Sequence, residues 1–214
     1  SHASESTESL TNMALAHRVD TEEDELRDLV VSCYADPLRW VQMAYPWGEP
    51  GPLEQESGPD GNQTEFLTAL GDEVRGRAFD GVTPTLPILM TETSGHGTGK
   101  SAMGAWLAGW ILSTRPHSIG TVTAGTETQL RERTWAAIQH WMGLCITAHW
   151  FEIQAFGIYS RSSPKDWKLI RQSCRKENAQ SFAGQHARGS TSWFLFDEAS
   201  EVEDLIWDTA MLGG

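Results

Sequence analysis

The hydrophobic pattern in the first third of the chain predicts helices. From residue 20 onward, acidic residues fill one turn, and apolar residues then recur at helical spacing. These apolar positions are Leu26, Leu29, Val30 and Cys33. We expect Asp20 or Thr21 to cap this helix, and a second helical piece to start at Asp36-Pro37. A loop dense in proline and glycine follows at 46–61, and a third helix is predicted from Asn62 to about Arg77.

Beyond residue 80, short apolar runs that are typical of buried strands alternate with stretches that are typical of helices. Strands are predicted at Pro87 to Glu92, at 118–124, at Trp167 to Cys174 and at Trp193 to Phe196. Helices are predicted from Lys100 to Leu112, and as one long amphipathic helix from its N-cap Thr126 to Leu144. The segment 146–165 shows no clear period and is left unassigned. This alternation predicts an α/β fold with a central, mostly parallel sheet flanked by helices.

Composition divides the chain into three parts. Residues 1–19 are rich in Ser, Thr and Ala with some acidic residues, and we expect them to form a disordered acidic and polar tail. Residues 20–80 are a helical N-terminal segment that we expect to act as a lid, and residues 81–214 are the α/β core. A chain of 214 residues is long enough to bury a large core without disulfides or metals.

Charge and cysteine content narrow the possible functions. The net charge is −13, with 16 Lys and Arg residues, so a broadly basic surface for binding nucleic acid is excluded. The three cysteines, Cys33, Cys145 and Cys174, are widely spaced and odd in number, which fits a reducing compartment. No apolar run approaches the roughly 20 residues of a membrane span, so we expect no membrane partner.

A glycine-rich segment, "SGHGTGKS", is a candidate phosphate-binding loop between a predicted strand and a predicted helix. It comprises Ser94, Gly95, His96, Gly97, Thr98, Gly99, Lys100 and Ser101. Glycine lets successive backbone N–H groups turn inward around an anion, and the following helix adds its positive N-terminal end. Lys100 would reach the β- and γ-phosphates, and the Ser101 hydroxyl would bind magnesium. The usual pattern has glycine at the position of Ser94, where a small serine still permits a tight turn.

The segment "FLFDE" indicates the second half of an ATP-hydrolysing site. A short apolar strand would bring Asp197 to the magnesium, and Glu198, one residue later, would polarise an attacking water. A kinase has less need of that glutamate because its nucleophile is a substrate hydroxyl, so the pair favours hydrolysis. The long separation from Lys100 leaves room for intervening strands, which suits the P-loop ATPases that have an additional strand between the two motif strands.

Four segments in order resemble a known family: "SGHGTGKSAMGAW", "TAGTETQLRERTW", "NAQSFAGQHA" and "FLFDEASEVEDLIWD". Together they are similar to the ATPase domain of the terminase large subunit of tailed bacteriophages, the motor that pumps viral DNA into a procapsid. The resemblance covers about Asp36 to Gly214 and implies a P-loop NTPase of the additional-strand (ASCE) type. In this family a coupling motif and a nuclease domain would follow Gly214, so we expect no nuclease activity in this chain.

The resemblance implies roles for individual residues. Lys100 and Ser101 would hold phosphate and magnesium, Asp197 would be the magnesium-side acid, and Glu198 would be the catalytic base. Gln63, which opens a helix after the Pro/Gly loop, resembles the upstream glutamine that reads adenine. Its amide can pair with both the N6 donor and the N7 acceptor of that base, although an exposed position at the helix start is an equal alternative.

Further candidates are less specific, and each also fits a purely structural role. They are Pro46 and Trp47 for the base pocket, Thr123, Thr126 and Gln129 for coupling to DNA, and His186 for sensing the γ-phosphate. Some terminases carry an arginine finger at the position of His96, and a neutral histidine cannot replace a guanidinium. We therefore expect the finger elsewhere, in the same or a neighbouring subunit. Its candidates are Arg131, Arg133, Arg161, Arg175 and Arg188.

The resemblance also implies cofactors and partners. The cofactors would be ATP and Mg²⁺, and the partners would be double-stranded DNA, the portal protein and the small terminase subunit. The chain would form a homo-oligomeric ring while packaging and be a monomer in isolation. Its place would be the host cytoplasm, transiently docked on the viral procapsid.

Other functions fit part of this pattern. A P-loop kinase for small molecules would use the same loop, but it requires an arginine-bearing lid that the sequence does not show. A non-catalytic nucleotide-binding or interaction module would explain Ser94 as a sign of a degenerate loop and would use the acidic tail to dock a partner. A helicase-like repair ATPase is a further alternative.

Overall fold

The computed structural model describes residues 18–78, 99–173 and 191–197. These residues form an α/β structure in which a five-stranded mixed sheet is flanked by helices. Among the described helices, none combines the length and the apolar content that crossing a bilayer requires. The strand predicted at Pro87 to Glu92 and most of the predicted tail lie outside the described residues.

Three helices precede the glycine-rich loop: α1 at 18–32, α2 at Pro37–Ala44 and α3 at Gly61–Gly76. The predicted start of α2 is confirmed, because the Asp36 carboxylate accepts a hydrogen bond from the backbone N–H of Arg39 at 3.0 Å. The predicted start of α1 is wrong. Residue 18 is already helical, so Asp20 and Thr21 lie inside the helix, where acidic side chains can pair with a basic residue one turn away.

Helix α4, Lys100–Thr114, lies between two apolar clusters. One face packs against α1, α2 and α3, and the other packs against the sheet and the helix that follows β1. The Trp110 indole donates to the carbonyl of Cys33 at 2.8 Å. The buried Arg115 guanidinium donates to the carbonyl of Tyr34 at 2.9 Å, and burial lowers its pKa to about 10. The helix predicted from Lys100 to Leu112 is confirmed.

The sheet has the strand order β2-β3-β4-β1-β5. Its strands are β1 at Ile119–Ala124, β2 at Phe151–Ile153, β3 at Gly157–Ser160, β4 at Lys168–Arg171 and β5 at Ser192–Asp197. Strand β1 pairs in parallel with β4 and β5, whereas β3 pairs antiparallel with β2 and β4. Over the described strands the sheet is therefore mixed, where the sequence predicts a mostly parallel one. The reason is the unassigned segment, in which only residues 154–156 join β2 to β3, too few for a parallel crossover.

The helix predicted after β1 is interrupted. Thr126 caps its start as predicted, since its side chain accepts a hydrogen bond from the N–H of Gln129 at 3.2 Å. Helix α5, Glu127–Gln129, then passes into a π-helix at Leu130–Trp135 before α6, Ala136–Leu144. A π-helix bonds from i to i+5, and here the side chains of Leu130 and Trp135, five residues apart, are both buried in the core.

The pairing of β1 with β5 depends on a glycine. A Cβ at Gly120 would come within 2.3 Å of the Trp193 ring of β5, so we expect Gly120→Ala to lower the free energy of unfolding by about 1–3 kcal/mol through overpacking. Gly143→Ala in α6 is the matched control, because nothing lies within 4 Å of its added Cβ, and the higher helix propensity of alanine should leave stability unchanged or raised by up to about 1 kcal/mol. Urea denaturation measures both variants, and equal midpoints would contradict this packing.

Candidate functional site

The site lies where the parallel strands β1 and β5 end. Their register pairs the last residues of the two strands, Ala124 and Asp197. Side chains alternate along a strand, so Leu195 and Asp197 point to the same face of the sheet. Leu195 packs against α4 at Gly104, where an added Cβ would lie 3.2 Å from the leucine Cδ2. The Asp197 carboxylate therefore lies on the face of the sheet that α4 covers.

Two contacts fix the direction of α4 across the sheet. Near its start it touches Leu195, close to the carboxyl end of β5. Near its end, the carbonyl of Leu112 accepts a hydrogen bond at 2.9 Å from the indole of Trp167, which directly precedes β4. Helix α4 therefore runs antiparallel to β4 and β5. Its first two residues, Lys100 and Ser101, lie at the same edge of the sheet as the end of β5, together with the positive end of the helix dipole.

Gln63 lies against the end of the glycine-rich loop. Gly99 adopts φ of 79°, a left-handed conformation that favours glycine, and a Cβ at this position would come within 2.6 Å of Gln63 Nε2. Gln63 Oε1 accepts from the N–H of Asp60 at 2.9 Å, while the N–H of Gln63 donates to the Asp60 carboxylate at 2.8 Å. This capping box at the start of α3 fixes the amide, and its NH₂ group faces the loop.

Thr134 is a site residue that sequence reasoning missed. It lies in the π-helix, is 4% exposed, and its hydroxyl donates to Asp197 Oδ2 at 2.5 Å. The available signal was a threonine in a polar run, four residues from each of the apolar Leu130 and Ile138. That spacing places Thr134 on the buried face of the helix, but the pattern does not show which group its hydroxyl meets.

Arg171 is a second missed residue at the same edge of the sheet. Its side chain is only 7% exposed and lies 3.7 Å from the carboxylate of Glu127, at the start of the helix after β1. Its guanidinium also lies 4.6 Å from the ring centroid of Phe156. Arg171 therefore links the end of β4 to the segment that follows β1, and it places a cation two strands away from Asp197.

A comparison with curated proteins finds one informative relative. It is a probable terminase large subunit of Enterobacteria phage P7, 25% identical to this chain over 182 residues, which cover 81% of the chain and 34% of the relative. The chain is similar to a phage terminase large subunit. It spans about a third of the length of that relative. No family model matches the chain, and no solved structure gives a significant match.

The terminase similarity supports a relation to phage packaging proteins at the level of the family. It agrees with the resemblance that the ordered motifs show, and it extends over most of the chain rather than over the glycine-rich loop alone. The mixed α/β sheet with α4 on one face is compatible with a P-loop-like fold.

The oxygen donors at this end of the sheet fit magnesium. Among the described residues, no group of three or more His, Cys, Asp or Glu side chains is arranged to hold a metal ion. The Ser101 hydroxyl and the Asp197 carboxylate nevertheless offer hard oxygen donors at the same end of the sheet. Magnesium typically binds one or two protein oxygens, several waters and substrate phosphates. The donor set therefore fits an ion that arrives with a nucleotide rather than one held in an all-protein cage.

The remaining predicted residues of the base pocket and of the segment after β1 occupy several different positions. Trp47 packs with Tyr45, Trp106 and Trp141 in an aromatic cluster, and its indole donates to the carbonyl of Val41 at 2.8 Å, which fits its structural role. Pro46 directly precedes Trp47 and is partly buried. Thr123 is buried on the face of β1 opposite to Asp197. Thr126 and Gln129 form the helix cap described above.

Three of the candidate arginines, Arg131, Arg133 and Arg161, lie within the part of the chain that the structure describes. Arg131 is exposed and pairs with Glu132 at 2.8 Å, a contact that raises the pKa of Arg131. Arg133 is also exposed on the π-helix. Arg161 follows β3, which runs antiparallel to β4, so it lies at the opposite edge of the sheet. The other predicted site residues lie outside the described residues: Ser94, Gly95, His96, Gly97, Thr98, Arg175, His186, Arg188 and Glu198.

Proposed function

We propose that this chain binds ATP with magnesium and hydrolyses it, as the ATPase domain of a viral genome-packaging terminase large subunit. The observation that carries the proposal is the convergence of two elements at one edge of the sheet. The amino end of α4 brings Lys100 and Ser101 there, and the end of β5 brings Asp197. This is the arrangement that a P-loop ATPase of the additional-strand type requires.

The nucleotide phosphates would bind at the amino end of α4. Backbone N–H groups of the loop from Ser94 to Gly99, together with the helix dipole, would hold their negative charge. Lys100 would contact the β- and γ-phosphates, and Ser101 and Asp197 would hold magnesium. That ion, when bound, would neutralise charge that develops on the transferred phosphoryl group. Gln63, fixed by its capping box beside Gly99, would contact the adenine side of the nucleotide.

Hydrolysis would depend on Glu198, which directly follows Asp197 in the sequence. Its carboxylate would accept a proton from the attacking water, so that the water attacks the γ-phosphorus as the bond to the β-phosphate oxygen breaks. An arginine finger from the same or a neighbouring subunit would stabilise the charge of the transition state. If a neighbouring subunit supplies the finger, the isolated chain would turn over slowly, because such a finger contributes about 10³- to 10⁵-fold in related enzymes.

In the assembled motor this hydrolysis would drive double-stranded DNA into a procapsid. The partners would be the portal protein and the small terminase subunit, in a homo-oligomeric ring docked on the procapsid in the host cytoplasm. The acidic net charge of −13 means that the grip on DNA would depend on local basic residues or on other parts of the full protein. The helices of residues 20–80 would form the lid beside the loop.

Incubation of the chain with ATP labelled at the γ-phosphate tests this function. The expected product is inorganic phosphate, formed only while magnesium is present and abolished by a chelator. Label that accumulates in an added small-molecule acceptor, with no release to water, would replace the proposal with a kinase. A folded chain that neither consumes ATP nor binds it at millimolar concentration would instead be an interaction module.

A further inference from the structure

We propose that Thr134 is a positioning residue for Asp197, and that its hydroxyl holds the carboxylate in the orientation that presents it to magnesium. The inference rests on the proposed function and extends it, since the glycine-rich loop and the Asp-Glu pair do not include Thr134. It gives a functional role to the π-helix, which interrupts the helix after β1.

The contact is a hydrogen bond from a hydroxyl to a carboxylate. Thr134 Oγ1 donates to Asp197 Oδ2 across 2.5 Å. Thr134 is buried, so water does not readily replace its hydroxyl. One carboxylate oxygen is engaged in this way. Because an aspartate side chain has two rotatable bonds, holding one oxygen also sets the direction in which the second oxygen points.

The helix that carries Thr134 is held in place by the next residue and by Gln139. That next residue, Trp135, is 1% exposed, and the indole donates to the carbonyl of Gln154 at 3.2 Å. Gln139, one turn later, donates its amide to the same carbonyl at 3.0 Å. These bonds tie the helix to the loop between β2 and β3. In addition, the branched Cβ of threonine restricts its first side-chain torsion, so the hydroxyl has little freedom to leave Asp197.

Thr134 lies near the end of the π-helix. Single π turns within α-helices are rare and frequently occur at functional sites. At Leu130–Trp135 the wider turn leaves Leu130, Thr134 and Trp135 all buried. The aromatic and aliphatic side chains fill the core, and the hydroxyl between them meets the end of β5. The same helix begins directly after β1, so the contact also ties the segment that follows β1 to the end of β5.

Removal of the hydroxyl is expected to weaken magnesium binding without an equal loss of nucleotide affinity. Partners that orient a metal ligand typically contribute about 10- to 100-fold to metal affinity. Thr134→Val keeps the shape of the side chain and removes the donor. We therefore expect this variant to need about 10- to 100-fold more magnesium to reach half of the full increase in ATP affinity. Nucleotide affinity in a chelator should change little, because Lys100 and the loop are untouched.

The experiment titrates a fluorescent ATP analogue into the 214-residue chain at a series of magnesium concentrations, with manganese as a second probe by electron paramagnetic resonance. Neither readout needs turnover. Thr134→Ser should restore the wild-type magnesium dependence because it retains the donor. Thr147→Val is the matched control, since it removes a buried hydroxyl that pairs with Ser113 at 2.8 Å near the far end of α4. We expect it to lower stability and to leave the magnesium dependence unchanged.

The outcomes separate the inference from the proposed function. An unchanged magnesium dependence in Thr134→Val, with tight binding by the wild type, would overturn the inference and leave the ATPase proposal intact. Equal weakening with and without magnesium would also overturn it, by showing a general structural defect. If Thr134→Val does not fold, Thr134→Ala, which introduces no additional methyl group beside the carboxylate, provides the same comparison. A wild-type chain that binds no nucleotide would remove the proposed function and this inference together.

Discussion

Replacement of Glu198 by glutamine is expected to lower ATP turnover by about 10²- to 10⁴-fold, the usual contribution of a positioned general base. The glutamine side chain has nearly the same size, but its amide cannot accept the proton of the attacking water at neutral pH. Nucleotide and magnesium binding should be retained, since the proposed ligands are Lys100, Ser101 and Asp197. A variant that binds normally and hydrolyses slowly would separate the chemical step from binding.

Single-turnover release of phosphate measures this effect, and a parallel titration with a fluorescent ATP analogue measures binding. Glu152→Gln is the matched control, because Glu152 is exposed and lies on β2, the outermost strand on the side of the sheet away from β5. That variant should hydrolyse ATP at the wild-type rate. If Glu198→Gln also retains the wild-type rate, Glu198 is not the base and the assignment of hydrolysis to the Asp-Glu pair fails.

Replacement of Lys100 by alanine is expected to reduce ATP hydrolysis by about 10²- to 10³-fold, the typical cost of losing one preorganised group that stabilises transition-state charge. Nucleotide affinity should fall as well, because an ammonium at the amino end of α4 would no longer contact the β- and γ-phosphates. The free energy of unfolding, in contrast, should stay the same or rise slightly. A cation at the positive end of a helix dipole is unfavourable by about 0.3–1 kcal/mol, so the alanine variant should be as stable as the wild type or slightly more stable.

Nucleotide binding at equilibrium and thermal unfolding, measured on the same samples, test whether affinity falls while stability does not. Lys165→Ala provides the control, since Lys165 is an exposed lysine in the loop before β4. This replacement should leave nucleotide affinity and stability unchanged. Loss of binding together with a large loss of stability in Lys100→Ala would indicate that the lysine supports the fold. Wild-type affinity in that variant would show that the loop does not bind phosphate through Lys100.

The elements with a strong local pattern were predictable from the sequence. Helices α3 and α4 and strands β1 and β5 lie close to their predicted positions, since each combines a clear cap or turn with a continuous apolar face. The strands β2 and β3 were not predictable, because three and four residues are too few to establish a period. The antiparallel pairing that they introduce is also the reason why the sheet is mixed.

The π-helix could not be predicted for a different reason. Residues that form an i to i+5 turn have the same propensities as residues of an ordinary α-helix, so the sequence after Thr126 predicts one continuous helix. Whether this segment forms a π-helix or an α-helix depends on the tertiary contacts of Trp135 with Gln154 and of Thr134 with Asp197. Both contacts join segments that are distant in the sequence.

The candidate site was predictable in its chemistry and only partly in its geometry. The segments around Lys100 and Asp197 carry recognisable residue types, but their meeting at one edge follows from the direction of α4, which packing against Leu195 and Trp167 determines. The position of Gln63 beside Gly99 likewise depends on how α3 packs. Its role toward adenine stays a prediction, as do the roles of Glu198 and the arginine finger.

The central claim is that the amino end of α4 and the end of β5 form one site for ATP and magnesium. Calorimetric titration of the 214-residue chain with a non-hydrolysable ATP analogue tests it most directly. We predict saturable one-to-one binding that magnesium strengthens and that Lys100→Ala abolishes or greatly weakens. A folded chain that shows no saturation up to millimolar analogue, with or without magnesium, would contradict the claim.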